Sequence, residues 1–175
     1  IQVTKAKFEM ATTGFDVSHD EFNGATTINP KMPSDVLVTG VKQGRNYAFL
    51  AMGLGKSKDD KDFTPNLVAT YLGQDWLFFD SVDIKSSKGS MSIKIDSAGK
   101  TEDTLGNGTV NEIGVAMLSD SQLKQLTEVM SGSGHKFRIN GSGDKAGEDF
   151  TADFTSWMWE EFENSLAVIS GLRQG

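Results

Sequence analysis

Four polar residues lie in or beside otherwise apolar segments, where they could carry acid–base chemistry: Asp80, Glu112, His135 and Arg138. Asp80 has the parity of the apolar residues of its predicted strand, and Glu112 interrupts an apolar run. Burial of a carboxylate favours its neutral form, which suits the group to give or take a proton. One hypothesis is therefore a small acid–base hydrolase that uses the two inward carboxylates and His135.

Each of these residues also has a structural interpretation. A β-bulge would turn Asp80 outward, Glu112 falls on the outer parity of its strand, and His135 begins a strand beside a glycine-rich loop. The segment 131–135 brings serines close to this histidine, but it lacks the G-x-S-x-G spacing of a nucleophile elbow. We therefore favour a chain without catalytic activity, and the hydrolase stays the alternative.

An acidic segment could bind calcium, because Asp59, Asp60 and Asp62 offer several oxygen ligands to a hard cation. EF-hand spacing is absent, and neighbouring lysines favour an ordinary solvated loop. Just before it, residues 53–57 end in Gly-Lys-Ser, but Leu50 occupies the place of the first glycine of a phosphate-binding loop. The two histidines have no histidine partner at zinc-ligand spacing. We predict no cofactor and no metal, and calcium-dependent binding is a second alternative.

The C-terminal segment has the pattern of a long amphipathic helix with an unusual Trp-Met-Trp run. Trp157 and Met158 fit the apolar stripe, whereas Trp159 should lie towards its edge. Tryptophan is enriched at binding surfaces, so Trp159 either marks a partner surface or packs in a second layer. The whole predicted stripe is Phe150, Phe154, Trp157, Met158, Phe162, Leu166 and Ile169.

Short segments with apolar alternation precede that helix and predict strands. They cover residues 8–10, 22–28, 36–41, 47–52, 67–72, 76–84, 91–95, 109–118 and 135–140. We expect a tight turn at residues 88–89, a loop over 97–108, and an inner face of Ile113, Val115 and Met117 on one strand.

The remaining signals predict helix ends. Ser119 or Asp120 caps a short helix, and Gly171 ends the last one. The predicted fold is a single α+β domain over residues 1–175. It is a mainly antiparallel sheet, either a sandwich or strongly curved, with a short helix and a long C-terminal amphipathic helix packed on it.

Three segments between residues 66 and 141 carry a resemblance. Residues 71–79 (Tyr-Leu-Gly-Gln-Asp-Trp-Leu-Phe-Phe), 108–112 (Gly-Thr-Val-Asn-Glu) and 135–141 (His-Lys-Phe-Arg-Ile-Asn-Gly) resemble uncharacterised bacterial or phage-borne proteins with a Tyr-x-Gly-x-Asp-Trp strand. The resemblance implies a bacterial or viral source and no activity.

Composition limits the classes of partner. With 17 basic and 24 acidic residues the net charge is −7, which argues against nucleic acid because phosphate binding needs a cationic surface. The chain has no cysteine, so disulfides and thiolate chemistry are excluded, and no apolar run is long enough to span a membrane. The start at Ile1 favours a secreted or periplasmic protein. We expect a non-enzymatic interaction or structural protein, secreted or virion-associated, that recognises a protein or surface component.

Overall fold

The computed structural model describes residues 15–30, 44, 46–96, 100–105, 108–141, 149–150 and 156–174. In these residues the strands are β1 (Phe15–His19), β2 (Thr26–Pro30), β3 (Tyr47–Lys56), β4 (Thr64–Gly73), β5 (Phe79–Ser86), β6 (Gly89–Lys94), β7 (Lys100–Thr104), β8 (Val110–Met117), β9 (Lys136–Gly141) and β10 (Asp149–Phe150). The helices are α1 (Asp120–Met130) and α2 (Ser156–Gln174). The strands expected at residues 8–10 and 36–41 lie outside the described residues.

The strands form two antiparallel sheets. A curled six-stranded sheet has the order β1-β2-β3-β4-β8-β7, and a four-stranded sheet has the order β10-β9-β5-β6. One apolar cluster joins both sheets and both helices. The predicted class, a mainly antiparallel α+β fold with a short helix and a C-terminal helix, is confirmed.

The two central strands of the larger sheet are covered on both faces. Every residue of β3 up to Gly55 is buried, and β4 is buried along most of its length. Helix α2 packs beside β3, where the Ser165 hydroxyl accepts a hydrogen bond of 3.1 Å from the main-chain N–H of Met52. Ser165 thereby satisfies a buried strand donor, which would otherwise be costly.

The helices follow their sequence signals in part. Ser119, one of the two predicted caps, caps α1, and the structure adds a capping box with Gln122 that was not predicted. In α2, Phe162, Leu166 and Ile169 are buried in the core. The helix begins at Ser156, not at residue 150, because Phe150 pairs with β9 in strand β10, and it continues past Gly171 to Gln174. The other stripe residues lie outside the described side chains.

The strand predicted over residues 76–84 is shorter in the structure, because β5 begins only at Phe79. Phe78 has a φ of 50°, which breaks an extended chain. The register between β5 and β9 then shifts between Phe79 and Ser81, so Asp80 lies at a β-bulge. The bulge changes the parity, and Phe79, Val82 and Ile84 are all buried.

The inner face expected for β8 is wrong. Its buried residues are Val110, Glu112, Gly114 and Ala116, whereas Met117 is 53% exposed. Small residues are needed on this face, because a Cβ on Gly114 would lie 2.8 Å from the side chains of both Ile95 and Phe79. The bulky neighbours of Gly114 occupy the space that the larger residues of β8 were expected to fill.

Part of the loop expected over residues 97–108 is strand β7, which pairs with β8 at the edge of the sheet. Its sequence, Lys-Thr-Glu-Asp-Thr, contains no apolar residue. Charged residues are typical of edge strands, since they discourage pairing with other chains. A tight two-residue turn is present, but it lies at residues 87–88, one position before the expected 88–89, because Ser86 pairs with Gly89.

Candidate functional site

A stacked aromatic pair lies on the loop that leads from β4 to β5. The rings of Trp76 and Phe78 stack with centroids 5.7 Å apart and an interplanar angle of 15°. Trp76 is half-buried, and Phe78 is 44% exposed. Between them Leu77 points into the core and is 5% exposed. We call residues 76–78 the aromatic loop.

The backbone of the aromatic loop is held in an uncommon conformation. Phe78 is the one non-glycine residue with a positive φ among those described. For a residue with a side chain this left-handed region costs about 1–2 kcal/mol. Such strain persists only where the surroundings over-determine it, and it is concentrated at binding and active sites.

Glu112 on strand β8 holds the aromatic loop in this strained conformation. Its carboxylate is buried, with 3% exposure of the residue. It accepts main-chain N–H bonds from Leu77 at 2.5 Å, from Phe78 at 3.1 Å and from Phe79 at 3.3 Å. A buried charge is tolerated only when it is well hydrogen-bonded. Three charge-assisted bonds therefore tie the loop to β8.

Tyr71 on strand β4 contacts both Glu112 and the start of the segment that leads into the aromatic loop. It faces Glu112 across the β4–β8 pair, and its hydroxyl donates a hydrogen bond of 3.2 Å to the main-chain carbonyl of Asp75. Burial, the Glu112 carboxylate and Asp75 together raise the pKa of Tyr71 to about 12. A Cβ on Gly73 would collide with the Tyr71 hydroxyl, so this position requires glycine.

The structure does not bring the four predicted acid–base residues together. The Asp80 carboxylate accepts a bond of 3.2 Å from the Ser81 hydroxyl, and Glu112 is engaged by the aromatic loop. His135 Nδ1 lies 3.2 Å from a Glu163 carboxylate oxygen on α2. Asp80, Glu112 and His135 thus contact different residues, and they do not form one catalytic group.

Arg138, the fourth of these residues, lies on β9 in the second sheet. Its guanidinium donates a hydrogen bond of 2.8 Å to the carboxylate of Asp83 on β5. This ion pair spans two adjacent strands on their solvent-facing side.

Trp159 is half-buried and packs against the core. Its ring lies 5.3 Å from His135, 6.0 Å from Phe137 in an edge-on contact and 6.3 Å from Phe162, measured between centroids. These contacts correspond to the second layer of packing that the sequence left open.

The acidic segment forms a turn after β3. Asp60 accepts bonds from the Ser57 main-chain N–H at 2.9 Å and from its hydroxyl at 2.7 Å, and these bonds lower its pKa. Asp59 and Asp62 are exposed beside it. Over the described ranges, no three His, Asp or Glu side chains are grouped as metal ligands. Gly53 and Gly55 lie within strand β3, so this stretch is not a loop around phosphate.

A second exposed aromatic residue lies at the far end of the larger sheet. Phe22 is fully exposed at the tip of the β1–β2 hairpin, and its main-chain N–H donates to the Asp20 carboxylate at 2.9 Å. This turn lies near the end of β3 that is distant from the aromatic loop.

Comparison of the chain with models of protein families, with curated proteins and with solved structures finds no match. Neither of the two helices that the structure describes has the length and hydropathy of a membrane span.

Sequence reasoning missed the aromatic loop. Its aromatic residues were assigned to a regular strand, in which Phe78 would lie on a buried face. The useful signal was the density of large residues over 76–79 without the alternation that a half-exposed strand shows.

Proposed function

We propose that the chain is a non-enzymatic binding domain that recognises a protein or surface component through the Trp76–Phe78 pair. The observation that carries this proposal is the exposure of Phe78 at a positive φ under the control of a buried carboxylate. The fold uses a strained backbone and a desolvated charge to keep an apolar side chain 44% exposed.

Stability alone gives no reason for this arrangement. Burial of a phenylalanine side chain contributes about 1.5–3 kcal/mol, and Phe78 gives up a large share of that contribution. Its backbone adds a cost of about 1–2 kcal/mol. Glycine or asparagine would adopt the same conformation with less strain. Aromatic anchors on rigid supports dominate the energy of many interfaces, and that role accounts for both costs.

The arrangement of polar groups supports binding over acid–base catalysis. A general acid or base has to reach a proton of the substrate within about 2.6–3.2 Å. Glu112 directs its oxygens to three main-chain donors, and the His135 ring lies against Trp159. Neither group is arranged to share a substrate with the other.

A test separates the aromatic pair from the rest of the surface. Random peptides displayed on phage and an immobilised glycan array would be probed with the wild-type domain, and the enriched ligands measured on purified variants. We expect Trp76→Ala and Phe78→Gly each to weaken binding by about 30-fold, the size of an interface hot spot. The matched control Phe22→Ala removes an exposed ring at the other end of the sheet and should change binding less than twofold.

Two results would contradict the proposal. One is the absence of any enriched peptide or glycan with the folded wild-type domain. The other is an enriched ligand whose affinity is the same for Phe78→Gly as for the wild type. Phe78→Gly should remain folded, because it removes backbone strain and an exposed ring, and urea unfolding of each variant confirms this.

A further inference from the structure

The solvent-facing side of the smaller sheet carries a basic groove. Its exposed residues include Lys85 on β5, Ser90 and Ser92 on β6, and Lys136 and Arg138 on β9. These residues line an open pocket of about 680 Å³, which Asp83, Ile84, Met91, Gln125 and Phe137 also line. We use the name basic groove for Lys85, Ser90, Ser92, Lys136 and Arg138 together.

Two lysines of the groove face each other directly. Lys85 is the register partner of Lys136 on one side and of Ser90 on the other. Like charges directly opposite on a sheet are destabilising. Among the residues whose side chains the structure describes, neither lysine has a carboxylate within 4.0 Å. In a chain of net charge −7, the described residues of this face thus concentrate positive charge at the two lysines.

Next to the lysine pair, the row of register partners Ser92, Asp83 and Arg138 limits the site to one anionic group. Asp83 lies between Ser92 and Arg138 in the register and binds the Arg138 guanidinium at 2.8 Å. Partial burial of Asp83 acts to raise its pKa, but hydrogen bonds from Ser92, Arg138 and Asn140 outweigh burial and lower it. Asp83 thus remains negatively charged, and it interrupts the run of positive charge across the sheet.

We propose that the basic groove binds a phosphomonoester dianion between Lys85 and Lys136, with the Ser90 hydroxyl beside it. A phosphomonoester carries a charge of about −1.5 to −2 at neutral pH and offers three acceptor oxygens. Two ammonium groups and a hydroxyl match that charge and those oxygens. The bound anion also removes the repulsion between the two lysines.

The same features disfavour a nucleic acid. Single strands bind grooves in which aromatic side chains stack on successive bases, and the exposed residues of this sheet face in β5, β6 and β9 are serine, aspartate, asparagine, lysine and arginine. A continuous phosphate backbone would also place charge over Asp83.

The experiment measures binding of defined anions to the full chain by isothermal titration calorimetry. The probes are inorganic phosphate, a phosphoserine peptide, the same peptide with glutamate in place of phosphoserine, and single-stranded DNA. We expect the phosphoserine peptide to bind at least fivefold more tightly than the glutamate peptide. If inorganic phosphate competes with it, the phosphoryl group is the recognised part. Affinity should fall as salt is added.

Matched variants test the two lysines. Lys85→Gln and Lys136→Gln should each weaken binding at least fivefold, and they should leave the stability of the free protein unchanged or slightly raised because the repulsion is relieved. Lys94→Gln is the control, since Lys94 lies on the same face, two rows from Lys85, and the substitution changes the net charge equally. It should alter affinity less than twofold.

Three results would overturn the proposal. They are no heat of binding with either phosphate probe, an equal loss for Lys94→Gln and Lys85→Gln, and tighter binding of DNA than of the phosphoserine peptide. The aromatic loop is not part of this site, so these outcomes are independent of the test on Trp76 and Phe78.

Discussion

Replacement of Glu112 by glutamine tests whether the carboxylate holds the aromatic loop. Glutamine has nearly the same shape, so packing is retained while the charge is removed. The structure shows one carboxylate oxygen accepting from Leu77 and Phe78, and the other accepting from Phe79. In Glu112→Gln one position becomes an NH2 group, which cannot accept a hydrogen bond.

The expected loss follows from those three bonds. A bond to a charged acceptor contributes about 1.5–3 kcal/mol and a neutral one about 0.5–1.5 kcal/mol. Two retained bonds thus each lose about 1 kcal/mol, and an unsatisfied buried N–H costs about 1–3 kcal/mol. Removal of the desolvated charge offsets part of this loss. We expect Glu112→Gln to lower the free energy of unfolding by about 2–4 kcal/mol.

Urea unfolding measures this change, with Glu102→Gln as the control. Glu102 is the register partner of Glu112 on edge strand β7 and is exposed. Its substitution should change stability by less than about 0.5 kcal/mol, and removal of a like charge opposite Glu112 would act in the stabilising direction. If Glu112→Gln and Glu102→Gln are equally stable, the carboxylate does not anchor the loop and the reasoning about strain fails.

Three further perturbations have signs fixed by the structure. Ser165→Ala leaves the Met52 N–H without its acceptor and should cost about 1–3 kcal/mol in urea unfolding; an unchanged midpoint would show that water replaces the hydroxyl. Gly53→Ala places a Cβ 2.6 Å from a main-chain oxygen of β2 and should cost about 1–3 kcal/mol. Gly55→Ala places a Cβ 3.3 Å from the side-chain nitrogen of Asn66 and should cost less, because this contact is longer; equal losses would contradict this. Tyr71 keeps its proton to about pH 12 instead of 10, so its contribution to stability is present below pH 10 and is lost as the pH rises to 12. Tyr71→Phe should abolish that loss, which alkaline urea unfolding checks.

Elements with purely local signals were predicted from the sequence. The N-cap at Ser119 was one of two predicted caps, and its bond to the Gln122 N–H joins residues three apart and needs no knowledge of the fold. The alternation of Met91, Ile93 and Ile95 predicts a one-sided strand segment, and all three are buried. These signals succeed because the period of a helix or strand is itself local.

Elements set by distant partners were not predicted. Strand β7 has no apolar residue and is specified by pairing with β8. The buried face of β8 was missed because its core positions carry Gly114 and Ala116, whose small size matters only once Phe79 lies against them. Complementarity of size is a property of the packed pair, and hydropathy of one strand does not contain it.

The same limit applies to the candidate site. Alternation over residues 76–84 holds only for a regular strand, and a positive φ at Phe78 followed by a bulge at Asp80 changes the parity twice within three residues. The cause of the first change is Glu112, which is 34 positions away in sequence from Phe78. Nothing in residues 76–80 alone encodes the direction of that carboxylate.

The role that the sequence suggested for Glu112 therefore differs from the role that the structure shows. As a polar residue within an apolar run it suggested proton transfer, and its expected outer parity suggested a solvated side chain; its burial contradicts that parity. Its oxygens instead receive the main-chain donors of Leu77, Phe78 and Phe79. Because those donors belong to the segment that carries the aromatic pair, the carboxylate acts on the conformation of the aromatic loop. Under the proposed function, the Trp76 and Phe78 rings would be the groups that meet a partner.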